Sequence, residues 1–175
     1  LVVTPPYDVI TKEDQERYYQ RHPYNTIRLI LGKDLPGDND RVNKYTRAAN
    51  YLDRWLEDDI LRMDAVPSIY YCRQEFVIKR TEKITRKGFI ALVKLENFDS
   101  GVVLPHEKTM KEPKADRLKL MESCGANLSP IFSLYSDAGK KIDVIIEEKI
   151  STHPFMDLDD DVGTRHQLWR VNDKD

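Results

Sequence analysis

Glycine is scarce, with seven in 175 residues. A glycine-rich phosphate cradle is hard to build from so few. Neither GxSxG nor GxxxxGK[ST] occurs, which excludes the nucleophile elbow and the P-loop. There are only two cysteines, Cys72 and Cys124, and they form no CxxC pair. Two free thiols in a reduced compartment are expected, not a disulfide framework. No apolar run approaches the ~20 residues that a membrane helix needs. No basic stretch followed by an apolar one opens the sequence, so the expected location is cytoplasmic. An excess of one charge is missing too: 28 Lys and Arg stand against 30 Asp and Glu, with a pI near 6.1. That balance lacks the basic footprint of nucleic-acid binding, so such a partner is not expected.

Metal-ligand spacing is equally thin. The four histidines, at 22, 106, 153 and 166, are far apart. His106 and Glu107 have no second His four residues on. The acids at 159–161 lack the alternating oxygens of a calcium loop. No metal is expected.

What is present is patterned for secondary structure. Pro5 and Pro6 force an extended opening. Thr11 and Asp14 resemble a capping box, which predicts a helix over 12–21, ended by Pro23. The run "NTIRLILGK" predicts a strand over 26–31, stopped by Gly32. Residues 34–40 read as a polar turn. A helix is predicted over 42–58, with Tyr45, Ala48, Ala49, Leu52, Trp55 and Leu56 on one apolar stripe. "SIYYCRQEFVI" alternates as a strand. "GFIALVKL", at 88–95, reads as its hairpin partner. The charged stretch between them carries Lys79, Arg80, Lys83, Arg86 and Lys87. It reads as a solvated loop in preference to a phosphate-binding tip. A helix is predicted over 114–123, with Pro113 at its start and Gly125 as its stop. "PIFSLY" then predicts a short buried strand. Ile142, Ile145, Ile146 and Ile150 mark another helix, 153–163 a loop, and "TRHQLWRV" a last strand. The expected fold is α+β: a mixed, partly antiparallel sheet with several packed helices in one domain over 1–175. Leu1 in place of Met, and a start that enters mid-strand, predict a natural protein that extends further toward its N-terminus.

The residues with chemical promise lie around 104–117. His106 and Glu107 follow a Leu-Pro break, on a loop where functional groups concentrate. Lys114 and Arg117 are three apart and project from one side of a helix start, where backbone N–H groups and the dipole favour anions. Lys108 adds a third cation. His106 titrates near neutral pH and suits acid or base work. Asp8 follows a rigid Pro-Pro-Tyr turn and is either a held carboxylate or a partner of turn amides. The bland alternative is an ordinary solvated face, since Glu112, Asp116 and Glu122 are interleaved with the bases. Exposed pairs of that kind contribute only ~0–1 kcal/mol.

"VTPPYDVI", "TIRLILG", "AANYLDRWLEDDIL", "RKGFIALVKL", "HEKTMKEPKADRLKLMESCGANLSPIFSLY" and "RHQLWRV", in that order, resemble the bacterial and archaeal proteins grouped as domain of unknown function 1015. The resemblance spans nearly the whole chain. It implies that this sequence is the N-terminal portion of a longer protein. In such proteins a Gly-His-His-Arg type motif follows, similar to the phosphate-binding loop of the ParB and sulfiredoxin-like fold, which includes a free-serine kinase. This sequence has no His-His-Arg stretch. What the resemblance implies is a nucleotide-dependent phosphotransferase acting on a small molecule, with ATP or ADP as cofactor. In that reading Lys114, Arg117 and Lys108 hold anionic oxygens. His106 or Glu107 accepts the proton, and Asp8 is a second-rank carboxylate. The alternative is a non-catalytic ligand-binding or regulatory module. Whether the chain is an enzyme, and its oligomeric state, are not legible in the residues.

Overall fold

The computed structural model of the chain describes residues 1–105, 110–150 and 153–172. The chain forms two compact units, Leu1–Met63 with Glu96–Ile131, and Asp64–Leu95 with Phe132–Asp175. The expected α+β class is borne out. Every strand pairing found among the described residues is antiparallel.

The first unit is helical. Helix α1 spans Lys12–Arg21 and opens with the expected box. Thr11 Oγ1 accepts from the Asp14 amide at 3.1 Å, and the Asp14 carboxylate accepts from the Thr11 amide. The predicted strand over 26–31 is instead a single helical turn, α2, Ile27–Ile30. The β-branched residues there favour extended chain. Buried Asn25 decides otherwise. Its Oδ1 accepts from the Ile27 amide at 3.0 Å and turns the chain, while its Nδ2 reaches the Leu1 and Val3 carbonyls. Ile27 and Leu29 then bury completely or nearly so. Gly32 follows at a close approach to Lys44: a Cβ there would stand 3.1 Å from Lys44 Cβ and 3.2 Å from the Lys44 carbonyl oxygen, so a larger residue would require Lys44 to shift.

Helix α3, Lys44–Glu57, is capped by Asn43, whose side chain accepts from the Tyr45 and Thr46 amides. Ala48 and Trp55 are buried as the stripe predicts, but Leu56 is exposed. Tyr24 meets Trp55 edge-on, with ring centroids 5.8 Å apart. Arg47 grips Asp38 with two nitrogens and the Lys33 carbonyl with one, which folds the 34–40 turn back onto α3. Helix α4, Lys111–Cys124, starts earlier than expected, with Pro113 as its third residue. Proline is tolerated there because the first-turn amides lack intrahelical partners. Gly125 ends the helix in the left-handed conformation, φ +59°. Leu120 carries the buried side of α4.

The second unit is a four-stranded sheet in the order β2-β1-β4-β3. Strands β1, Ile69–Ile78, and β4, Arg165–Val171, match the sequence reading. Strand β2 spans Glu82–Ile90, so the charged stretch is mostly strand and the turn is only its tip. Lys79 and Arg80 are both left-handed there, φ +50° and +65°. Residues 91–95, predicted as strand, are not paired, and Leu92 and Leu95 are fully exposed. "PIFSLY" is likewise exposed and irregular, not buried strand. The expected loop over 153–163 contains strand β3, Met156–Asp159. Asp160 then makes the turn by accepting from the Val162 and Thr164 amides. Helix α5 spans Lys141–Lys149. Tyr71 on β1 pairs in register with Trp169 on β4, and both are buried. Cys72 and Cys124 are free and half-buried, and burial pushes both thiols up.

Candidate functional site

The Pro-Pro-Tyr-Asp opening and helix α4 meet. Residues 7–9 form one 3₁₀ turn, which Pro6 introduces in extended conformation. The Tyr7 ring lies under the Arg117 guanidinium, 4.0 Å from centroid to carbon. A cation against a ring face at that distance contributes roughly 0.5–1 kcal/mol or more when partly desolvated. Arg117 Nη1 donates to the Ile30 carbonyl at 2.7 Å and Nε to Asp116 at 3.0 Å. One half-buried arginine therefore ties the N-terminal turn, the end of α2 and α4 together.

Asp116 is the centre of this cluster. It accepts from the Tyr45 hydroxyl at 2.7 Å and pairs with Lys44 at 3.3 Å, both from α3. Burial pushes its carboxyl up. Hydrogen bonds from Arg117 and Tyr45, and the charges of Arg117 and Lys44, outweigh that and hold it below the ordinary value. Burial likewise pulls Lys44 down, but Asp116 and its neighbours leave the ammonium above its ordinary value. Burial, then the bond to Asp116, raises Tyr45. Between α2, α3 and α4 lies a cavity of about 10 Å³, lined by Leu29, Ile30, Lys44, Tyr45, Asp116 and Arg117. It has room for one water molecule. A wider depression of about 150 Å³ runs along α3 between Arg47, Asn50, Tyr51 and Arg54.

The residues expected at the site divide three ways. Arg117 is a junction, committed to Asp116, Ile30 and Tyr7. Lys114, one turn earlier on α4, and Asp8, beside Tyr7, are exposed, and neither carboxylate nor ammonium has an ion pair among the described residues. His106, Glu107 and Lys108 lie outside the described residues. Sequence reasoning missed Tyr7, Tyr45 and Lys44 as partners. It read Asp116 as one more helix charge. No local signal distinguishes a carboxylate that faces a second helix from one that faces water.

The second unit holds another polar chain. Arg86 Nε donates to Gln74 Oε1 at 2.8 Å, and the Gln74 amide meets His166 Nδ1 at 2.9 Å. His166 Nε2 meets Asp160 at 2.9 Å. With Gln74 oriented by Arg86, the network assigns His166 the tautomer with hydrogen on Nε2. Burial pushes Asp160 up, but His166 and the Thr164 and Val162 amides hold it below its ordinary value. Both His166 nitrogens are thus occupied. Among the described residues no three His, Cys, Asp or Glu side chains stand close enough to hold a metal, and no helix is long and apolar enough to cross a membrane.

These features define an α+β protein with a cation-carboxylate junction at its N-terminal turn. No curated protein and no solved structure matches the chain. The family comparison is decisive: over residues 1–175 the chain belongs to the family described as Protein of unknown function (DUF1015).

Proposed function

We propose that the first unit contributes a small-molecule site for a ligand bearing phosphoryl or carboxylate oxygens, flanking the Tyr7–Arg117 contact. The observation that carries this reading is that contact itself. It brings the Pro-Pro-Tyr-Asp turn, which carries Asp8, against α4, which carries Lys114 one turn before Arg117. Arg117 has five N–H donors, of which its protein partners take only some, and Lys114 is an uncommitted point charge. The segment with His106, Glu107 and Lys108 directly precedes α4 in the chain. This placement, with the phosphotransferase reading that the family resemblance implies, supports nucleotide-dependent phosphoryl transfer to a small molecule, with ATP or ADP as the donor. Catalysis of that kind rests on positioning and charge.

A second reading, a non-catalytic ligand-binding module, is favoured by one observation. Arg117 and Lys44 are both paired with Asp116 around a space for a single water.

Calorimetric titration of ATP and ADP separates the two. The phosphotransfer reading expects binding that weakens about tenfold in Lys114→Ala, which is about 1.4 kcal/mol. It also expects Asp8→Asn to bind nucleotide while losing turnover. Nucleotide affinity that ignores Lys114→Ala but falls in Arg54→Ala would move the ligand to the depression along α3. Absence of nucleotide binding would leave the module.

A further inference from the structure

Residues 132–135 are irregular and mostly exposed, yet they are not placed at random beside the sheet. Strand β2 is an edge strand, paired only with β1. Two side chains of the irregular stretch touch it. The Arg86 guanidinium stands 5.3 Å from the Phe132 ring, and Phe89 meets Tyr135 with centroids 5.4 Å apart. Both contacts pair a β2 residue with one 46 positions later. A constant difference is the signature of two segments running parallel in register.

The faces agree as well. Arg86 pairs across β1 with Gln74, and Phe89 with Tyr71, so the two point to opposite faces of the sheet. Phe132 and Tyr135 are an odd number of residues apart, so in an extended chain they too point to opposite faces. The same register sets Leu134 opposite Gly88. A Cβ at Gly88 would meet nothing within 4 Å, and Leu134 is 88% exposed. In that register an open position on the strand would receive a side chain that now has no cover. Among the described residues no backbone hydrogen bond yet joins the two segments.

We propose that 132–135 is a strap that closes on the outer edge of β2 as a fifth, parallel strand, in the register that sets Arg86 against Phe132 and Phe89 against Tyr135. Parallel neighbours need a connection of about a dozen residues or more, and residues 91–131 exceed that. Closure covers an edge that otherwise offers unpaired N–H and C=O groups to other chains. It encloses Arg86 between Phe76 and Phe132, and with it the Gln74–His166–Asp160 chain. It also places Leu134 over Gly88, as large side chains cover glycines in neighbouring strands.

Disulfide trapping tests the register. Lys87→Cys with Ser133→Cys sets the two thiols opposite each other, and Thr85→Cys with Ser133→Cys sets them two residues out. Under mild oxidation the first pair should cross-link at least about tenfold faster, because a bridge needs Cα atoms ~4.4–6.8 Å apart. Equal rates, or faster closure of the second pair, overturn the register. Hydrogen exchange on the unaltered chain provides the second reading. The alternate amides within 132–135 that point at β2 should exchange about tenfold or more below free-peptide rates, and Leu134→Asp should restore those rates. Free-peptide rates in the unaltered chain overturn the strap.

Discussion

The two units solve the same problem by different means. In the helical unit, long side chains end on backbone carbonyls of distant segments. Arg28 reaches the His22 and Tyr19 carbonyls, Gln15 that of Leu31, Arg47 that of Lys33 and Arg117 that of Ile30. In the sheet unit, the polar contacts run between side chains on neighbouring strands. Arg73 meets Gln167, Gln74 meets His166, Arg86 meets Gln74 and Arg165 meets Asp157. Helices satisfy their own interiors but leave orphan carbonyls at their ends and in connectors. A sheet satisfies its backbone through the neighbouring strand, which frees the side chains to pair across it. The difference shows why the candidate site, built from carbonyl-seeking arginines, falls in the helical unit.

The largest expected effect tests whether each unit rests on its own aromatic core. The chain has two tryptophans, and each unit buries one, Trp55 and Trp169. Trp55→Ala should cost about 3–5 kcal/mol in urea denaturation. The remaining tryptophan fluorescence then reports on the sheet unit alone. Trp169 Nε1 is buried without a partner, so Trp169→Phe should cost less than Trp55→Phe.

Next is the polar junction. Asp116→Ala strips Arg117, Tyr45 and Lys44 of their shared acceptor and should cost on the order of 1–3 kcal/mol, read by thermal denaturation. Arg28→Ala uncaps two carbonyls and should cost a comparable amount. Arg165→Ala breaks only an exposed cross-strand pair and should cost less than either. If Arg165→Ala proved the most damaging of the three, the contrast between the units would fail.

Backbone conformation predicts opposite signs of similar size. Gly125→Ala forces a side chain into left-handed backbone at the end of α4 and should destabilise by about 1 kcal/mol. Arg80→Gly relieves the same conformation at the hairpin tip and should stabilise by roughly 0.5–1 kcal/mol. Melting temperatures decide both.

The smallest effect is expected from acid. Asp38 in the helical unit is held to about 2 by its bonds from Arg47. Asp157 in the sheet unit is held to about 2 by Arg165 and Gln167. Each folded value is depressed. The stability they add is therefore complete above the ordinary aspartate value near 4 and is lost as pH falls toward about 2. Asp38→Asn and Asp157→Asn should each flatten that decline in a pH series of urea midpoints.

Legibility in the sequence followed the range of the forces involved. Helix α1 was readable to the residue because its capping box and Pro23 are local. Strand β4 and the Gly125 stop were readable for the same reason. The run at 26–31 was misread because strand propensity is local, while Asn25, which turns the chain at Ile27, is itself held by the Leu1 and Val3 carbonyls more than twenty positions away. Strand β3 was hidden among acids that look like loop until Asp157 finds Arg165. At the site, Arg117 was legible as a cation on α4, although the helix begins at Lys111 and Arg117 is its seventh residue, not part of its start. Its role as a junction was not, because Tyr7 and Ile30 are about a hundred residues distant in the chain.

Composition, capping residues and hydrophobic period by themselves settled the α+β class, the absence of a P-loop, the bounds of α1 and the Gly125 stop of α4. These depend on neighbours within a few positions. Only the tertiary structure decided that Asp116 faces α3, that Tyr7 lies under Arg117, and that Phe132 and Tyr135 meet side chains of β2 instead of entering a core. Each of those outcomes depends on which distant groups reach a charge or an apolar side chain first, and no stretch of sequence carries that information alone.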